Sequence, residues 1–252
     1  MTTEAATGTV SAPAGAQAVR RALDVLHCFH DNGPDLSASD LARRLGLSTS
    51  TAHRLARTLL AAGFLEQDPR TARYRLGPAV TELGRLSYHQ RGLHLAAPEL
   101  RDLAERTGTT VDLALRSGAY AVVVAGGPVT PKVGLRRPLH STAPGKVLLA
   151  FGDRPGAAGA GAPGPTGPVA DWERVRQQGH ALTDGESALG VRTLAVPVLD
   201  RSGHARFALA VRAGSAVITD ARLDWFLAQA RTCARALEVL LLPPGERRSS
   251  DA

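Results

Sequence analysis

Apolar residues first recur at helical spacing at Val19, Ala22, Leu23, Leu26 and Phe29. This pattern predicts a helix from Gln17 that Asn32-Gly33-Pro34 ends. Between Leu36 and Gly77 the pattern is short and dense. Ser37 is placed to cap a second helix, with Asp40 three residues on, Leu41 and Leu45 facing inward and Gly46 closing it in a left-handed turn. Ser48 caps a third helix that carries Ala52, Leu55, Leu59 and Leu60 inward and ends at Gly63. Residues 64–67 and 73–76 read as two short strands joined by an Asp68-Pro69-Arg70-Thr71 turn.

Pro78 opens a further helix through Val80, Leu83 and Leu86 towards Gln90-Arg91-Gly92. Pro98 opens the next, through Leu100, Leu103 and Ala104 to Gly108. Strand-like runs occupy 111–116, 120–125 and 132–136, and a short helix covers 144–151. A helix over 169–178, strands over 193–199 and 206–213, and an amphipathic helix from Asp220 to Leu242 complete the chain. Strands and helices mix without a βαβα alternation, so the second half is expected to be α+β on an antiparallel sheet. The expected organisation is a tail over 1–16, a first domain over 17–77, a linker helix over 78–93, a second domain over 94–243 and a tail over 244–252. Residues 152–170, almost all Gly, Ala and Pro, read as a flexible loop.

The chain has 252 residues, a hydrophobic content of 44% and a formal net charge of +7. That charge fits a polyanionic partner without proving one. Cys28 and Cys233 stand far apart and read as small buried residues of a reducing compartment. No apolar run suits a membrane span and no secretion signal is recognisable, so a cytoplasmic location away from membranes is expected.

Helix, turn with Gly46, helix and basic hairpin form the winged helix-turn-helix order. The third helix should present Ser48, Thr49, Ser50, Thr51, His53, Arg54 and Arg57 to double-stranded operator DNA. Arg70, Arg73 and Arg75 on the hairpin should hold the backbone or enter the minor groove. Such charges would equally serve as solvated helix and turn surfaces; their position on the two groove-facing elements favours DNA. One winged helix touches too little DNA for tight specific binding, so a homodimer or a tetramer is expected.

The segment from Leu36 to Gly77, with its STSTAHRL run, GFLEQD strand and closing YRLG, resembles the DNA-binding domain of the IclR family of bacterial regulators. Family positions in the third helix and at the wing's end correspond to Thr51, His53, Arg54, Tyr74, Leu76 and Gly77. RRPLHSTAPGKVLLA and GHALTDGESALGVRTLAVPVLD extend the resemblance over most of the chain. It implies a GAF-like effector-binding domain that takes a small molecule, often a carboxylate, on one side of its sheet. It also implies dimer contacts through the first helix and the linker helix.

Carried over residue by residue, the effector positions are Thr142, Ala143, Pro144, Asp184 (with Thr183 as the competing register) and Thr193. Two positions that are often serine hold Ala210 and Arg212. Strand alternation puts Phe207, Leu209 and Val211 on the core face and Ala208, Ala210 and Arg212 on the other. Arg212 offers an anion a bidentate fork, or else sits at a solvent-facing strand edge.

Gly145-Lys146 fails as a phosphate-binding loop: position 140 is His and position 147 is Val. His89, His94, His180 and His204 lack metal-ligand spacing. No nucleophile or acid/base set emerges, so no catalytic residue, metal or cofactor is expected. The function that follows is a ligand-responsive transcriptional regulator, expected to be a repressor of a catabolic or metabolic operon. A DNA-binding protein without an effector, or an enzyme domain fused to a DNA-binding module, is the alternative.

Overall fold

The computed structural model describes residues 14–30, 33, 35–128, 130, 133–152, 169–186 and 188–248. The expected tail over 1–13, Lys132, most of the 152–170 loop and the last four residues lie outside them. The chain divides into two compact units between Ser87 and Tyr88.

The first unit opens with α1 (Ala14–His27), which starts three residues ahead of Gln17, inside the expected tail. Then come α2 (Ala38–Leu45) and α3 (Thr49–Ala61). Ser37 and Asp40 form a reciprocal capping box at α2, each satisfying a backbone N–H of the other. Gly46 ends α2 at φ 62°, where a side chain would be strained. The wing is β1 (Leu65–Gln67) paired antiparallel with β2 (Tyr74–Leu76), and Leu36 adds a bridge to Tyr74. Val25, Leu41, Ala52, Ala56, Leu65 and the fully buried Tyr74 make the core. The helix α4 (Pro78–Gln90) follows, its apolar Leu83 and Leu86 exposed.

The second unit is a six-stranded, wholly antiparallel sheet in the order β5-β4-β3-β8-β7-β6. Its strands are β3 (Thr110–Ser117), β4 (Tyr120–Gly126), β5 (Arg136–Pro138), β6 (Ala181–Asp184), β7 (Val191–Leu199) and β8 (Ala205–Gly214). One face carries Leu113, Leu194, Val196, Phe207, Leu209 and Val211 against α5 (Leu93–Thr107) and α8 (Leu223–Leu241). The other carries Ala114, Ala181, Ala195, Ala208 and Ala210 beneath α6 (Ala143–Ala150), which packs on α7 (Val169–Gln178). Alternation along each strand sorts large side chains to one face and methyl groups to the other.

The structure corrects several expectations. Pro98 lies inside α5 instead of opening it. Its ring removes one helical hydrogen bond, but buried Leu93, Ala96, Leu100 and Leu103 hold the helix on the sheet across that break. The strand expected over 132–136 is β5, which starts only at Arg136 and lies at the sheet edge, where Pro138 is tolerated. β6 was not anticipated. The C-terminal segment is structured further than expected, with a 3₁₀ turn at Pro244–Glu246. Cys233 is buried and its thiol is pushed up to about 12 by that burial, while Cys28 is only half-buried.

Candidate DNA-binding surface and effector site

Each unit carries part of the expected chemistry. In the first, Gly46 lets the chain reverse so that Leu47-N–H and Gly46-N–H both reach the Ala42 carbonyl, and α3 starts immediately afterwards. The Ser48 hydroxyl caps α3 by accepting from the Thr51 N–H at 3.3 Å and lies 2.8 Å from the Thr51 hydroxyl and 3.1 Å from that of Ser50. Ser48, Thr49, Ser50, His53, Arg54 and Arg57 are exposed, and Thr51 is half-buried. The turn of the wing is organised by Asp68, whose carboxylate accepts the Arg70 and Thr71 N–H groups at 2.7 and 3.1 Å. Those bonds hold its carboxyl below the ordinary range.

The basic residues divide into two groups. Arg54, Arg57 and Arg70 have no ion-pair partner among the described residues. Arg73 instead reaches Asp35 at 2.5 Å and Asp40 at 3.5 Å, and Arg75 is paired with Glu66. All five arginines were expected to face DNA; the structure gives Arg73 and Arg75 partners within the unit.

In the second unit, the register places Thr183, Thr193 and Arg212 opposite one another on adjacent strands, on the α6-facing side. Thr110, opposite Arg212 on β3, extends that row. Asp184 is one residue out of step: it lies on the opposite face, 61% exposed and 3.3 Å from Arg192. Thr183, the competing register, lies on the α6-facing side with Thr193 and Arg212 instead, because a one-residue shift in a strand exchanges faces. Ala210 is buried in the methyl-lined core. Thr142, Ala143 and Pro144 open α6. The Thr142 hydroxyl accepts from the Gly145 N–H at 3.2 Å and faces the Pro138 carbonyl at 3.3 Å. Gly145 packs so tightly against the Leu139 backbone that a Cβ there would collide with it.

Sequence reasoning missed two charged residues. Asp112 on β3 lies on this same side and accepts from Arg212 Nη2 at 2.6 Å. Burial pushes its carboxyl up from the ordinary range, against the opposing pull of Arg212, Thr130 and Arg137. Arg137 on β5 is the second. The only cue in the sequence was Asp112 within an apolar strand run; its pairing with a residue 100 positions away is set by the tertiary fold. Arg212 also borders an open cavity of about 490 Å³ at the end of the sheet, with Glu105, Gly108, Thr109, Thr110 and Val217. No cluster among the described residues could hold a metal ion, and no described helix is long and apolar enough to cross a membrane.

Comparison with known proteins bears on both units. The family described as the IclR helix-turn-helix domain matches residues 18–69, and that described as bacterial transcriptional regulator IclR C-terminal matches residues 89–159 and 169–239. The HTH-type transcriptional regulator XynR of Escherichia coli K12 is 31% identical over 88% of this chain and 95% of its own length. The HTH-type transcriptional repressor AllR of the same strain is 29% identical over 82% and 84%. The crystal structure of an IclR homolog complexed with 4-hydroxybenzoate, from Microbacterium hydrocarbonoxydans, shares the fold with a TM-score of 0.70 at 23% identity, covering 89% of this chain and 98% of that one.

Proposed function

Since the chain belongs to the IclR family of bacterial transcriptional regulators, we propose that it is a repressor of a catabolic or metabolic operon whose hold on operator DNA is set by a small carboxylate. The single observation that carries the DNA half is the surface of α3: exposed hydroxyls at its capped N-terminus beside guanidinium groups with no ion-pair partner among the described residues. Hydroxyls and backbone N–H groups at a helix start suit phosphates, and Arg54 can fork onto a guanine edge. Arg57 and Arg70 would add phosphate contacts that fix register without reading sequence.

Dimerisation is supported by exposed apolar pairs at helical spacing, Val19 and Leu23 on α1 and Leu83 and Leu86 on α4. These are side chains that a second copy would cover. The relative AllR is named a repressor, which favours that direction of control.

The effector reading rests on the polar row of Arg212, Thr193 and Thr183 on the α6-facing side of the sheet. The Microbacterium hydrocarbonoxydans relative is complexed with a carboxylate, 4-hydroxybenzoate. Effector binding there would shift the population of domain arrangements and so the spacing of two recognition helices.

The test has two arms. Purified protein is titrated onto DNA upstream of its own gene at several salt concentrations, and a thermal-shift screen of small carboxylates is then followed by the same DNA titration. The expected result is salt-sensitive binding that one carboxylate class alters. DNA binding without salt dependence would sink the first half, and stable DNA binding that no carboxylate changes would sink the second.

A further inference from the structure

The first helix carries a polar surface that none of the roles above uses. At about 100° per residue, α1 turns Ala22, Val25, Leu26 and Phe29 towards the core of the first unit and leaves Val19 and Leu23 exposed beside them. A third side remains, with Gln17, Arg20, Arg21 and Asp24 at helical spacing. These four residues form one wall of a cavity of about 290 Å³. The other wall is Leu45, Gly46 and Leu47, the turn between α2 and α3. The next residue in the chain is Ser48, the cap of α3.

The lining is cationic. Arg20 and Arg21 are exposed and have no ion-pair partner among the described residues. Asp24, half-buried, is the single acid beside them. The N–H groups of Gly46 and Leu47 are both spent on the Ala42 carbonyl, so the donors here come from side chains. Gly46 contributes space instead: nothing stands within 4 Å of where a Cβ would project. Two guanidinium groups beside a hollow suit an anion with several acceptor oxygens, and a phosphate matches their forks.

The position names the source of that phosphate. In a helix-turn-helix the start of the recognition helix points at base edges, so the strand bordering the groove runs past the turn in front of it. That turn is one wall of this cavity.

We propose that α1 is a phosphate clamp: Arg20 and Arg21 grip one backbone phosphate of the bound duplex, outside the recognition helix and the wing. The inference rests on the DNA reading above and extends it to a helix so far given only to dimer contact. The two roles coexist because Val19 and Leu23 lie on another side of the helix. Asp24 works against the clamp, which makes its removal informative.

The test uses the full chain and two duplexes, the DNA upstream of its own gene and one of unrelated sequence, in fluorescence anisotropy across a potassium chloride series. Replacing Arg20 and Arg21 together by alanine is expected to flatten the slope of log affinity against log salt by about 1.8 in a dimer, one phosphate per protomer, on both duplexes alike. Asp24→Asn is expected to tighten both severalfold. Alanine suits a helix, and melting temperature with sedimentation checks fold and dimer. A steep native slope that the double variant leaves unchanged overturns the clamp and spares the rest of the DNA reading. A loss confined to the upstream DNA also overturns it, because that is base reading. If inorganic phosphate raises the melting temperature of the native protein alone while the DNA slopes stay equal, the cavity holds a free anion and the clamp falls. Should the double variant lose its dimer, Asp24→Asn decides: no gain in affinity overturns the clamp. Salt-insensitive binding by the native protein sinks the clamp and the DNA reading together.

Discussion

Replacing Arg57 and Arg73 by alanine, one at a time, separates a guanidinium available to DNA from one engaged within the protein. Arg57 is exposed on α3 with no ion-pair partner among the described residues. Arg73 lies 2.5 Å from Asp35 and 3.5 Å from Asp40 with its side chain 39% exposed. Each phosphate contact adds about 0.9 to the slope of log affinity against log salt, so one contact per protomer adds about 1.8 in a dimer. Between roughly 50 and 200 mM salt that slope corresponds to about a tenfold change in affinity. Arg57→Ala should therefore flatten the salt dependence by nearly two units and weaken all sequences alike. Arg73→Ala should change the slope by less than half as much and instead lower the stability of the first unit slightly, as the loss of an exposed ion pair does. Fluorescence anisotropy across a potassium chloride series reads the slopes, and urea denaturation reads the stability. Equal slopes for native and Arg57→Ala would refute the assignment of Arg57. An equal drop for both variants would show that Arg73 abandons its carboxylates for the phosphates.

Other outcomes follow from single features. Gly145→Ala should drive α6 away from the Leu139 backbone at a cost of about 1–3 kcal/mol, seen as a lower melting temperature; an unchanged melting curve would contradict the close packing. Phe226→Ala empties the middle of the larger core, where this side chain is fully buried, and should cost about 3–5 kcal/mol in urea unfolding. Asp40 is held at about 2 by hydrogen bonds from Ser37, below its ordinary 3.8. A depressed carboxyl stabilises above its unfolded value and loses that contribution as pH falls from about 3.8 through 2. Asp40→Asn should thus remove part of the acid sensitivity of the first unit in that window, and identical acid titrations of the two proteins would count against it.

The legible parts of this chain were those set by local physics. The Ser37 cap with Asp40, the Gly46 turn, the Ser48 cap and the limits of α7 depend on neighbours a few residues away, and each stands where the pattern put it. The faces of β8 were legible too, since Phe207, Leu209 and Val211 alternate cleanly with smaller residues. Features that depend on distant partners were not. β6 is four residues long and is defined by its pairing with β7. Pro98 misleads because a local rule about helix starts is overridden by burial of the residues around it. Choosing between Thr183 and Asp184 needed the strand register, which no single strand reveals. Asp112 lies on a strand remote in sequence from the motifs around Thr142 and Thr193, and only folding brings it beside Arg212.

A sheet surfaced on one side with methyl groups keeps its covering helix at the shortest practicable stand-off. Every added carbon at Ala114, Ala195, Ala208 or Ala210 would have to lift α6, and with it Thr142, Ala143 and Pro144. The spacing between sheet and helix is then set by a layer of single methyl groups. Under the effector reading proposed above, spacers of one or two carbons beneath the helix, rather than new polar groups, would be the gentlest way to change the size of acid admitted.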